Sequence, residues 1–147
     1  MKKSTLQAVL EAHKGDDYAL TADRDYHEPE EIMDCVREAI EYADDEIHEA
    51  DDLRDAINEH ADSATPVYNS GLAAWFGDNW SAVDDYLDEV GEPVMIQNGN
   101  RQQPDIMRTI MAAYCMSLER EAFAALESVW EEAEELEANA VAETLQP

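Results

Sequence analysis

The chain has 147 residues, 36 of them Asp or Glu and only 9 Lys or Arg, for a formal net charge of −27. That length predicts one domain, and an apolar fraction of 45% argues against simple disorder. Such a charge argues against direct contact with nucleic acid or anionic lipid and favours basic partners. The absence of any run of 18 apolar residues means that no membrane-spanning helix is expected.

The charge is unevenly spread. Residues 1–27 hold four cations and five acids, whereas residues 28–147 hold 31 acids against five arginines. No lysine follows Lys14. The break predicts two units: an N-terminal appendage over 1–27, made of a short helix and a loop, and an acidic helical body over 28–147. The appendage's helix is expected over residues 4–14, capped by Ser4 or Thr5 and stopped by Gly15. Met1-Lys2-Lys3 is not followed by a continuous apolar stretch, so no secretory signal is expected.

A second helix opens at Pro29, with Glu30 and Glu31 suited to its first turn. Ile32, Val36, Ala39, Ile40, Ala43 and Ile47 form its apolar stripe, and Asp34 and Glu38 lie on its polar side. Asp51 or Asp52 is placed to cap a third helix, with Leu53, Ala56, Ile57 and Ala61 inward and Asp51, Asp55 and Asp62 outward. Pro66 ends that helix or opens a fourth, in which Tyr68, Leu72, Trp75 and Phe76 are apolar. Ala73 and Gly77, one turn apart, leave room for a close helix neighbour, within the chain or in a second copy. Ser81 to Val90 predicts a short helix stopped at Gly91. Pro93 to Ile96 looks strand-like and Asn98-Gly99-Asn100 is a turn, so a small two-stranded element is expected there.

The longest pattern runs from Pro104 to about Glu137. Ile106, Ile110, Ala113, Tyr114, Leu118, Ala122, Ala125, Val129, Ala133 and Leu136 recur in steps of three and four. A helix of that extent is roughly 48 Å long and should be the rod on which the shorter helices pack. Its second half places Glu127, Glu131 and Glu135 at i, i+4 spacing, with Glu132, Glu134 and Glu137 beside them. Like charges so spaced destabilise a helix by about 0.2–0.5 kcal/mol per pair, and acids near a C-terminus oppose the macrodipole. A use for the negative charge is therefore expected.

Signals for chemistry are absent from the sequence. It holds no phosphate-binding glycine loop, paired zinc cysteines, HExxH or nucleophile elbow. Asp45 and His48 make only half of one di-iron helix motif, and Asp23-Arg24-Asp25 lacks the rest of a calcium loop. No catalytic residue, metal or cofactor is expected. Cys35 and Cys115 fall among apolar neighbours, and reduced, buried thiols suited to a cytosolic setting are expected.

One element is more specific. Ala50-Asp51-Asp52-Leu53-Arg54-Asp55-Ala56-Ile57, followed by Ala61-Asp62, Ala64, Pro66 and Tyr68, resembles the corresponding run of the Ocr-like DNA-mimicking antirestriction proteins of short-tailed phages. Ile32-Met33-Asp34 with Glu38 is similar to the start of that family's first helix. Ile106, Arg108, Ala112, Leu118, Glu121 and the acidic stretch to Glu135 are similar to its last helix. The first 27 residues have no counterpart in the family.

The resemblance implies an all-α, elongated homodimer whose carboxylates imitate DNA phosphates. It implies a partner among host DNA-binding defence proteins, type I restriction-modification enzymes or BREX-like methyltransferases, and a place in the host cytoplasm. The phosphate-mimicking residues would be Asp34, Glu38, Asp51, Asp52, Asp55, Asp62, Glu127, Glu131, Glu132 and Glu135. Ala73 falls where the family carries an aromatic dimer contact and Phe123 where it has a tryptophan, so Ala73, Trp75, Gly77 and Phe123 are candidate dimer contacts. Two alternatives account for the same composition: an acidic adaptor or structural protein of a high-salt organism, and an inhibitor of another basic protein such as a nuclease or CRISPR effector.

Overall fold

A computed structural model describes residues 1–67 and 70–145. The protein is elongated and about 70% helical, built on a long C-terminal helix. Six helices and one hairpin follow in order: α1 (Lys3–Ala12), α2 (Pro29–Glu41), α3 (Arg54–Ala64), α4 (Ser70–Asp78), α5 (Trp80–Val90), β1 (Met95–Asn98), β2 (Arg101–Pro104) and α6 (Ile106–Leu145). Short 3₁₀ turns cover Asp17–Ala19 and Ala50–Leu53.

All five other helices touch α6. Its 40 residues make a rod of about 60 Å, longer than the sequence predicts because the helix continues past Glu137. Asp105, not Pro104, begins it: the Asp105 carboxylate accepts the Arg108 N–H at 2.9 Å as an N-cap. Pro104 closes β2 instead, on a strand edge where its missing N–H does no harm. Eight of the ten stripe residues are buried; the two at its ends are not, Ile106 being 73% and Leu136 46% exposed.

The break in charge at residue 27 is not a break in packing. Leu6 and Val9 of α1 and Leu20 of the following loop lie in the same core as Ile32, Val36, Ile57, Leu72, Leu118 and Val129. Surface charge reports on exposed positions only, so it carries no information about which apolar residues join a core.

Helix α2 stops at Glu41, short of the predicted stripe's end. Ile47 is still buried, held by a bridge to the N-terminus in which the Ile47 N–H donates to the Met1 carbonyl at 2.7 Å and the Lys3 N–H to the Asp45 carbonyl at 2.9 Å. Asp45 and His48 therefore do not share a helix. Ahead of α3, Asp52 works as the far half of a capping box, its carboxylate accepting the Glu49 N–H at 3.1 Å. Tyr68, assigned by sequence to the fourth helix, lies outside the described residues.

Helix α5 begins at Trp80 with Asn79 before it, so Ser81 sits inside the helix and not at its cap. Gly91 ends it with φ 91°, and its N–H donates to the Leu87 carbonyl at 2.8 Å. The antiparallel hairpin pairs Met95 with Pro104, Ile96 with Gln103, Gln97 with Gln102 and Asn98 with Arg101.

Candidate acidic docking surface

The C-terminal half of α6 and the turn beside it gather the densest acids. The Ala50–Leu53 turn packs on α6, and Ala50, Glu127, Trp130, Glu131, Glu134 and Glu135 line one shallow groove. Glu127, Glu131 and Glu135 are exposed and form no ion pair among the described residues. Asp51 and Asp52 are exposed on the adjoining turn. Five of the residues singled out by sequence thus share one flank, joined by Glu134. Solvation of Glu127, Glu131 and Glu135 lets the helix tolerate their repulsion, because exposed like charges interact weakly in high dielectric.

The remaining candidates are divided. Asp55 and Asp62 are exposed on α3. Asp34 on α2 is exposed but paired with Arg37 at 3.2 Å, and Arg37 also binds Asp17. Asp51 is 3.6 Å from Arg54. Glu38 is half-buried. Glu132 faces inward to α1, where its carboxylate lies 2.7 Å from His13 Nε2. Glu137 likewise ties α1 to α6, accepting the Lys2 N–H and the Thr5 hydroxyl at 3.1 Å each. The Lys2 hydrogen bond holds the Glu137 carboxyl below its ordinary range, with the Thr5 hydroxyl and the N-terminal charge adding to the effect. Glu132 and Glu137 therefore fasten the first helix to the rod.

Glu121 is the acid whose role the sequence conceals. It is 9% exposed and accepts three consecutive backbone N–H groups: Asp25 at 2.8 Å, Tyr26 at 3.0 Å and His27 at 3.2 Å. Burial pushes its carboxyl up from the ordinary value, while the N–H donors and nearby His27 pull the other way. The available signal is positional, since Glu121 flanks Leu118, Ala122 and Ala125 on the buried side of α6.

Beside this clasp, His27 Nε2 lies 2.7 Å from Ser117 Oγ and its Nδ1 3.4 Å from Glu31. The Ser117 hydroxyl also lies within hydrogen-bond distance of the helix carbonyls of Ala113 and Tyr114, at 2.8 and 3.0 Å. Tyr114 also hydrogen-bonds Glu31, and the rings of Trp75 and Tyr114 flank His27. The array locks the 23–27 loop onto α6.

Two candidate dimer contacts are engaged within the chain. Trp75 stacks on His27 and donates its indole N–H to the Tyr26 carbonyl at 3.0 Å. Phe123 is half-buried beneath the Arg54 guanidinium, 4.2 Å from its ring centroid. Ala73 and Gly77 are exposed on α4, and a Cβ at Gly77 would meet nothing within 4 Å, so nothing inside the chain requires a glycine there.

Both thiols are free. Burial and nearby carboxylates push Cys35 up to about 12 and Cys115 to about 11. Among the described residues no cluster of His, Cys, Asp and Glu could hold a metal ion, and no helix is long and apolar enough to cross a membrane.

Fold and surface define an acidic helical protein organised on one long rod, with a flank of exposed carboxylates. No protein-family model matches the chain, and no curated protein or solved structure matches it either.

Proposed function

We propose that the chain is an Ocr-like DNA mimic, acting as a homodimer that fills the DNA-binding groove of a host defence enzyme. The target class is a type I restriction-modification enzyme or a BREX-like methyltransferase. The observation that carries this reading is the flank of Glu127, Glu131, Glu134 and Glu135 on the long helix, beside Asp51 and Asp52 on the adjoining turn, all exposed. Phosphate-binding Lys and Arg of the target would meet carboxylates in charge-assisted hydrogen bonds. The mimic itself performs no chemistry.

Charge and length are of the right scale. Two copies carry twice −27, or −54. B-DNA carries one charge per roughly 1.7 Å of axis, so this corresponds to about 92 Å, or about 27 base pairs. Two rods of about 60 Å placed end to end make about 120 Å, longer than that by about a third and of the same order.

The test is binding to a type I restriction methyltransferase, followed over a salt series with duplex DNA as competitor. Displacement by duplex and an affinity that falls steeply with salt are expected. Reversing Glu127, Glu131, Glu134 and Glu135 to Lys together should weaken binding by roughly a hundredfold or more, while any single Asp→Asn change should alter it less than about threefold. A single neutralisation that abolished binding would contradict a distributed charge mimic.

A further inference from the structure

The carboxylates leave one question of recognition open. They attract any basic surface, and a long-range field of one sign gives affinity and encounter rate with little discrimination. Discrimination requires directional, uncharged contacts elsewhere on the molecule.

The hairpin β1–β2 has that chemistry. In a chain with 36 acids among 147 residues, positions 93–104 contain none. Its strands pair with each other and make no extensive contact with another element among the described residues. Its base is nonetheless fixed: the Val94 N–H donates to Thr109 Oγ1 at 2.9 Å, that hydroxyl donates to the Asp105 carbonyl at 2.7 Å, and the Asp105 N–H donates to the Val94 carbonyl at 2.8 Å. It is a short finger held firmly at its root.

Its exposed polar side chains are carboxamides and one guanidinium, with Met95 and Pro104 exposed beside them. The register puts Gln97 and Gln102 on one face and Asn98, Arg101 and Gln103 on the other. The other arginines each have a carboxylate or, for Arg24, an aromatic ring beside them; Arg101 has neither among the described residues. Its five N–H donors make no hydrogen bond or ion pair among the described residues.

We propose that this hairpin selects the target, entering the base-reading part of a DNA-binding groove while the carboxylates occupy the phosphate-binding flanks. Proteins read base edges with Arg, Asn, Gln, Ser and Thr. A carboxamide, which offers a donor and an acceptor side by side, is the side chain that reproduces such an edge. DNA itself is not the occupant: one guanidinium on a body of −27 cannot supply the several phosphate contacts that duplex binding requires.

The inference rests on the mimic reading, and the experiment separates the two. The triple variant Gln97→Ser, Gln102→Ser, Gln103→Ser keeps the net charge; all three side chains are exposed and the one hydrogen bond given up is local, from Gln97 Nε2 to the Gly99 carbonyl at 2.7 Å, so the variant should melt close to the parent. Arg101→Gln is the second variant. Dissociation constants are measured for a type I restriction methyltransferase and for polylysine across a salt series. Both variants should bind the methyltransferase roughly tenfold more weakly, the triple variant with an unchanged salt slope, and both should bind polylysine as the parent does. A change below about twofold overturns the hairpin's role and leaves the mimic reading intact. An equal loss for polylysine overturns it too, as does binding of the parent hairpin to duplex DNA. A parent chain that does not bind the methyltransferase refutes the mimic reading, and the hairpin's role falls with it.

Discussion

Glu121 shows how differently identical side chains are used in this chain. Most of its acids are solvated; this one is enclosed by backbone donors from three consecutive residues. Removing it orphans those N–H groups in a buried site, and an unsatisfied buried donor costs about 1–3 kcal/mol. Glu121→Ala should therefore lower stability by roughly 2–4 kcal/mol and free the 23–27 loop, measurable as a lower unfolding midpoint with early hydrogen exchange at Tyr26 and His27. Glu121→Gln, keeping its amide oxygen toward the donors, should lose much less. A variant as stable as the parent would remove the clasp from the account. At the same scale, both thiols are held in the neutral form well above neutral pH, so slow reaction with thiol reagents follows.

The elements differ in how far they could be read before folding. The stripe on α6 was legible because burial along a long helix repeats every three to four residues, and eight of its ten positions are buried. Its ends misled for a definite reason: Ile106 and Leu136 keep the period where no neighbour covers it. The first turn of α6 is set by Asp105, a cap whose role competes with the helix-start signal of Pro104. The acids of the α6 flank were legible from spacing, but Glu132 was not distinguishable from Glu131. Only the position of α1, fixed by long-range contacts, turns one inward and the other outward. Trp75 is a candidate dimer contact by sequence, and nothing local announces that His27, 48 positions earlier, stacks on it. The hairpin's stiffness is equally non-local, since it comes from Thr109. Thr109→Val keeps the side chain's shape and removes the hydroxyl, leaving the Val94 N–H without its partner. Amide exchange across Met95–Pro104 should accelerate by about an order of magnitude or more, with global melting lowered by only about 1–2 kcal/mol. Unchanged exchange would mean that the root is held some other way.

Over the whole molecule, charge is polarised along the rod. From Ile106 to Leu118 α6 carries no acid, and from Glu119 to Glu143 it carries nine. Self-repulsion of this size opposes compactness. Glu121 has its folded value raised above the ordinary 4.5, so its contribution is present below that value and lost as pH rises through the folded one. Glu137 runs the other way, its contribution present above 4.5 and lost as pH falls through its lowered value. Relief of repulsion and Glu121 act together on acidification, so the melting temperature should rise from about pH 7.5 to about pH 5, then fall below about pH 4 as Glu137 is neutralised. About 0.5 M salt should raise the neutral-pH midpoint and flatten that slope. A chain already folded in dilute buffer fits the mimic; one that folds only in concentrated salt fits a protein adapted to brine.

The rod's length also governs how the molecule tumbles. A compact chain of 147 residues has a radius of gyration of about 15 Å. A thin rod the length of α6 has, alone, a radius of gyration of about 17 Å. Drag on such a particle depends on its direction of travel, so even a single copy sediments slowly and leaves a sizing column early, as a heavier sphere would.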